Sequence, residues 1–148
     1  MGLEVRPGEG AGRPSAHGPA GAPRVSARAA RLHRRALVID AHADTPSEFF
    51  LEPGYDFGAR HARGHVDLPR LRAGGVDALF LIAWVPEEPA RTPGASLAHA
   101  LALLDAIHAV VARTPGVRLA TSAADVEAAR AAGELAALLG VEGGHALE

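Results

Sequence analysis

The chain has 148 residues, a length that fits one ordinary domain. Its net charge of −2 at pH 7 argues against nucleic acid and anionic membranes as partners, because both attract basic surfaces. The sequence contains no cysteine, which excludes disulfides and thiolate metal sites, so any metal ion has to take histidine and carboxylate ligands.

Residues 1–30 are rich in glycine, proline, alanine and arginine and show no hydrophobic periodicity. We predict a disordered tail here, since the segment has too little bulky apolar surface to offset the entropy lost on ordering. It lacks the apolar stretch of a secretory signal. The chain also has no run of 18 apolar residues, as a membrane span requires. The predicted compartment is therefore the cytoplasm.

From residue 31 onward, short apolar strands alternate with helices. Strands are predicted at residues 37–39, 76–85, 117–121 and 135–141. Helices are predicted at 67–75, 94–113 and 122–133, with Asp67 and Ser122 as N-caps, and residues 46–64 are predicted to be loop. This alternation is typical of parallel βα units and predicts an α/β fold.

Polar side chains stand where two of the predicted strands end. His42 and Asp44 follow the first strand and, being two residues apart, project from the same face. Glu142 follows the fourth strand, and Asp40 lies on the face of His42, where it could orient that residue. In a closed parallel barrel these strand ends form the mouth where catalysis occurs. His42, Asp44 and Glu142 therefore predict a metal site, with capping or salt bridging as the alternative.

Four other side chains receive structural interpretations. His61 and His65 could reach the mouth but are predicted to lie in an exposed loop. His145 could orient a metal ligand, but it is predicted to be loop or to make a structural hydrogen bond. Trp84 is interpreted as part of the core or as a pocket wall.

Three segments resemble the membrane dipeptidase (renal dipeptidase) family of zinc peptidases. They are IDAHADTP, HVDLPRLRAGGVDALFLIAWVP and GVEGGHAL, and the resemblance covers residues 36–148. It implies that residues 31–148 form the N-terminal part, about four βα units, of a TIM-like (β/α)8 metallohydrolase barrel. It also implies hydrolysis of dipeptides by a hydroxide that bridges two zinc ions, with His42 and Asp44 on one ion and Glu142 between both.

The resemblance also implies residues that this chain does not contain. The family's other zinc histidines, its catalytic histidine and its catalytic aspartate lie beyond Glu148, so we assign no catalytic residue here. A full barrel needs about 250 residues. We therefore expect the chain as given to be incomplete and inactive alone. Its unpaired strand edges favour association, so a homo-oligomer is an expected partner beside the dipeptide substrate.

Two alternatives remain open at this point. The chain could be a non-enzymatic fragment or interaction module that binds a partner through its exposed face. It could also belong to another barrel amidohydrolase, although such enzymes usually carry His-x-His on the first strand, where this chain has His42-x-Asp44.

Overall fold

A computed structural model describes residues 25–87 and 91–147. The first helix, α1 (Ala27–Arg35), begins inside the segment predicted as a tail, of which residues 1–24 lie outside the described part. Ser26 caps α1 by accepting a hydrogen bond from the Ala29 amide at 3.2 Å. Alanine and arginine, which dominate the helix, are among the strongest helix formers. The ordered region therefore starts earlier than residue 31.

Four parallel strands form one sheet, as the α/β prediction requires. They are β1 (Ile39–Ala43), β2 (Ala78–Trp84), β3 (Val117–Leu119) and β4 (Leu135–Glu142). The spatial order is β1-β2-β4-β3, so β4, and not β3, lies beside β2. A simple series of four βα units would place the strands in chain order. The short β3 pairs only with 135–137, whereas β4 pairs along the whole length of β2.

The first strand differs from its prediction. Residues 37–39 were expected to form a strand covered on both faces, but β1 runs from Ile39 to Ala43 and includes His42. Its pairing with β2 continues through the polar residues, with an irregularity between Asp40 and Ala43. Because β1 is an edge strand, residues 39–42 are all exposed. Backbone hydrogen bonding, rather than the apolar run, sets where this strand ends.

Three further helices follow their predicted positions. They are α2 (Leu68–Gly74), α3 (Ala95–Arg113) and α4 (Ala123–Ala131). Both predicted caps are present, since Asp67 accepts from the Arg70 amide and Ser122 from the Asp125 amide. Gly75 ends α2 in the left-handed conformation, with φ of 70°. Short helical turns at Pro46–Phe50 and Gly144–Leu147 follow β1 and β4.

The two faces of the sheet are covered to different extents. On one face, alternate residues of β2 are buried in a core shared with α3. On the other face, a smaller cluster joins Ala78 and Ala136, at the base of β2 and β4, to Val126 and Ala129 of α4. At the carboxyl ends of β2 and β4 this second face is exposed, at Trp84 and Glu142.

Helix α3 is long and apolar enough to cross a membrane by length and composition alone. In the fold, however, its Leu103, Ile107 and Val110 are completely buried in the main core. About a third of this apolar stretch is buried, while Leu97 and Leu101 are exposed.

Candidate metal centre

The candidate centre lies at the carboxyl ends of β1 and β4, across the end of β2. His42 Nε2 is 3.2 Å from Asp44 Oδ1 and 2.9 Å from Glu142 Oε2. One ligand-type atom from each residue lies within 4.8 Å of the other two. The side chains of His42, Asp44 and Glu142 are 52%, 50% and 47% exposed. The structure thus brings together the three residues that the sequence predicted as metal ligands.

The donor set fits a zinc ion. Zinc binds imidazole nitrogen and carboxylate oxygen at about 2.0 to 2.2 Å in tetrahedral geometry, which places neighbouring ligand atoms about 3.3 Å apart. The two contacts of His42 Nε2 are close to that separation. The carboxylates of Asp44 and Glu142 would offset the charge of a divalent ion. The chemistry of these three side chains is therefore that of a site for a divalent metal ion.

Asp40 supports His42 through the backbone. Its Oδ1 accepts a hydrogen bond from the His42 amide at 3.1 Å. We expected Asp40 to orient His42, and the contact is made to the main chain at the irregular part of β1. It therefore fixes the peptide from which the imidazole projects.

A turn held by Ser47 follows Asp44. The Ser47 amide donates to the Asp44 carbonyl oxygen at 2.9 Å, which closes the turn. Ser47 Oγ accepts a hydrogen bond from the Trp84 amide at 3.0 Å and lies 3.3 Å from the Trp84 carbonyl oxygen. This residue therefore ties the end of β1 to the end of β2. Sequence reasoning missed it, because Pro46 signals a turn but does not reveal what the turn contacts.

The segment after Glu142 is attached to the end of β2. The Val85 amide donates to the Glu142 carbonyl oxygen at 3.2 Å. His145 Nε2 lies 3.0 Å from the Val85 carbonyl oxygen, and Ala146 is fully buried. His145 thus has the structural hydrogen bond that was one of its two predicted roles. Gly143 has φ of +103°, and a Cβ there would lie 2.8 Å from the His145 ring, so a larger residue would disturb this connection.

The loop between β1 and α2 is organised around a buried carboxylate. Asp67 Oδ2 accepts hydrogen bonds from Arg70 Nε at 2.7 Å and from the His61 amide at 3.0 Å. Burial by itself raises the pKa of Asp67, but the hydrogen bonds from Arg70 and His61 outweigh it and lower the pKa to about 2. Asp67 is therefore a structural anion that fixes the start of α2.

An aromatic stack fills the same loop. The Tyr55 ring lies 5.4 Å from the Phe49 ring and 4.5 Å from the His61 ring, in stacked geometry. Burial, followed by the negative charge of Asp67, raises the pKa of Tyr55 to about 12. His61 was predicted to be an exposed loop residue, but its ring is packed on Tyr55 and its Nε2 lies 2.6 Å from the Asp56 carbonyl oxygen. His65 is exposed, as predicted.

Comparisons with known proteins agree on one family. Residues 26–148 match the family model of membrane dipeptidases, peptidase family M19. Dipeptidase 3 of Mus musculus is 34% identical over 130 residues, which are 85% of this chain and 25% of that protein. The chain therefore spans about a quarter of the length of this relative.

Solved structures show the same relationship. A crystal structure of dipeptidase AC, a metallopeptidase of family M19, matches with a TM-score of 0.62 and 25% identity over 74% of this chain and 36% of that chain. A Rhodobacter sphaeroides metallopeptidase, bound to a phosphinate mimic of the dipeptide L-Ala-D-Ala, has the same fold, with a TM-score of 0.62 and 23% identity over 74% of this chain and 39% of that chain. On the family match, which spans nearly all of the described residues, this chain belongs to the membrane dipeptidase family, peptidase family M19.

Proposed function

We propose that the protein containing this chain is a zinc-dependent dipeptidase and that His42, Asp44 and Glu142 are metal ligands. The observation that carries the proposal is the meeting of these three side chains above the end of β2, within a chain of family M19. Relatives that are named dipeptidases, and the dipeptide mimic bound to the Rhodobacter sphaeroides protein, support a dipeptide as the substrate.

Each residue has a distinct part in the proposed site. His42 would offer an imidazole nitrogen to the ion, while Asp44 and Glu142 would provide the negative charge that retains a dication. Glu142 carries two carboxylate oxygens and can bridge a pair of zinc ions, as the family resemblance implies. When bound, zinc supplies a Lewis acid for the peptide carbonyl and lowers the pKa of water toward neutrality. Asp40 and Ser47 hold the backbone on either side of the His42 and Asp44 pair.

The ligand count also predicts what these 148 residues do alone. Among the residues that the structure describes, His42, Asp44 and Glu142 are the cluster with metal-ligand spacing. A structural or catalytic zinc ion needs at least three protein ligands. This cluster can satisfy one ion, and a second would have Glu142 alone. We therefore expect a polypeptide of only these residues to bind zinc weakly and to hydrolyse no dipeptide.

The test of the proposal measures dipeptide hydrolysis by the protein expressed from its gene. The enzyme is stripped with a chelator and then reloaded with zinc, and we expect activity only after reloading. Glu142→Gln should lose that activity by at least about a hundredfold, because the amide cannot supply the bridging charge. Glu127→Gln, an exposed carboxylate on α4, is the matched control. Full activity in Glu142→Gln, or equal activity without metal, would overturn the proposal.

A further inference from the structure

Trp84 is the last residue of β2, the strand that lies between the two ligand-bearing strands. The sheet order places β2 between β1, which carries His42, and β4, which carries Glu142. Trp84 is the register partner of Glu142, so both side chains project from the same face of the sheet. This is the face opposite α3, and the indole therefore stands beside the candidate centre.

The residues directly beneath Trp84 on this face are apolar. The partners below Trp84 and Glu142 are Ile82 and Gly140. Ile82 is buried, and its Cδ1 lies 2.8 Å from where a Cβ on Gly140 would be. Glycine at 140 therefore leaves the space that the Ile82 side chain occupies. A group bound at the centre would rest above this hydrophobic floor.

Trp84 is itself 43% exposed. Its backbone is fixed at both polar groups by Ser47, which receives the amide hydrogen bond and lies 3.3 Å from the carbonyl oxygen. An exposed indole on this hydrogen-bonded backbone presents a large, flat apolar surface on the same face of the sheet as Glu142. Such a side chain loses little conformational entropy when a ligand packs against it.

We propose that Trp84 is a specificity-determining residue that contacts the substrate, packing against an apolar side chain of a dipeptide held at the centre. This inference rests on the proposed dipeptidase function and adds to it a preference for substrates with a bulky apolar side chain over glycine. The preference follows from the apolar area that indole and substrate remove from water together.

The experiment compares kcat/KM for Gly-Gly, Leu-Gly and Gly-Leu in the zinc-loaded protein expressed from its gene. The wild type should favour at least one leucyl dipeptide over Gly-Gly. Trp84→Ala should reduce the ratio of leucyl to Gly-Gly kcat/KM by about tenfold or more. Trp84→Phe should retain most of the preference and serves as the conservative variant. Leu101→Ala, which truncates an apolar side chain on α3 that is 53% exposed, should leave the ratio unchanged.

The outcomes separate the inference from the proposed function. If the wild type hydrolyses dipeptides and Trp84→Ala lowers kcat/KM equally for all three, Trp84 only supports the fold and the inference is overturned. Trp84→Gln, which keeps a side chain of moderate length but removes the flat apolar ring, keeps the test valid if the alanine variant fails to fold, since an unchanged leucyl preference in Trp84→Gln would again overturn the inference. If the wild type hydrolyses no dipeptide with zinc, the proposed function fails and the inference fails with it.

Discussion

Asp67 and Glu142 are two carboxylates in one chain that are used in opposite ways. Asp67 is fully buried, and its oxygens accept hydrogen bonds from the Arg70 side chain and from two backbone amides. Glu142 is about half exposed and lies beside His42 and a second carboxylate. A carboxylate whose lone pairs are filled by the protein stabilises the fold. One that stands half exposed among other ligand-type atoms keeps lone pairs for an ion.

The largest expected effect concerns the centre. His42→Ala should weaken zinc binding by at least about a hundredfold, because it removes the nitrogen ligand that lies close to both carboxylates. The folding free energy measured without metal should change by less than about 1 kcal/mol, since the side chain is half exposed. Isothermal titration calorimetry and urea unfolding measure the two quantities. Unchanged zinc affinity in His42→Ala would contradict the role of His42 as a metal ligand.

Asp67→Asn should lower the unfolding free energy and leave zinc binding unchanged, which is the reverse of the result expected for His42→Ala. The variant leaves Arg70 without its buried partner, and breaking a buried ion pair costs about 3 to 5 kcal/mol. Zinc affinity should be unaffected. The control is Glu52→Gln, which breaks the exposed ion pair with Arg63 and should cost less than about 1 kcal/mol. If Asp67→Asn and Glu52→Gln lost the same unfolding free energy in urea, burial would not distinguish the two ion pairs.

The pH dependence of folding sharpens the same contrast. The pKa of Asp67 is lowered from 3.8 to about 2, so its ionised form is favoured by folding. The resulting stability is present above about pH 4 and is lost as the pH falls through 2, and it amounts to about 2 kcal/mol. The difference in unfolding free energy between wild type and Asp67→Asn should therefore shrink from pH 5 to pH 2.5. A difference that stays constant over this range would assign the stabilisation to packing and not to charge.

The smallest expected effect lies at α4. Asp125 accepts hydrogen bonds from the Thr121 amide and from the hydroxyls of Ser122 and Thr121, and these lower its pKa. Its partners are local and exposed, so Asp125→Asn should lower the thermal unfolding midpoint less than Asp67→Asn does. Differential scanning calorimetry at pH 7 compares them. A shift as large as that of Asp67→Asn would mean that local hydrogen bonding, rather than burial, decides the cost.

Much of the fold could be predicted from the sequence because its signals are local. The apolar runs and caps identified β2, β4, α3 and α4, and the rule that parallel strands end at one edge brought His42, Asp44 and Glu142 together. The position of β4 beside β2 could not be predicted, because strand order depends on hydrogen bonds between distant segments.

The interactions that support the site could not be predicted from the sequence either. Ser47 matters because its hydroxyl meets the backbone of Trp84, and nothing in the local pattern identifies that partner. Asp67 could be recognised as a helix cap, but its burial depends on Arg70 and on a loop folding back over it. Helix α1 was not predicted, because the alanine and arginine content of its first residues was interpreted as part of a disordered tail.

The separation of the ligands along the chain has a consequence for folding. About 100 residues lie between Asp44 and Glu142, and a metal ion held by both would join them as a cross-link does. A covalent link closing a loop of about 100 residues removes unfolded-chain entropy worth about 4.7 kcal/mol. An ion bound by His42, Asp44 and Glu142 would therefore connect the two ends of the whole segment from β1 to β4, and the unfolding free energy of that segment would rise with the concentration of free metal.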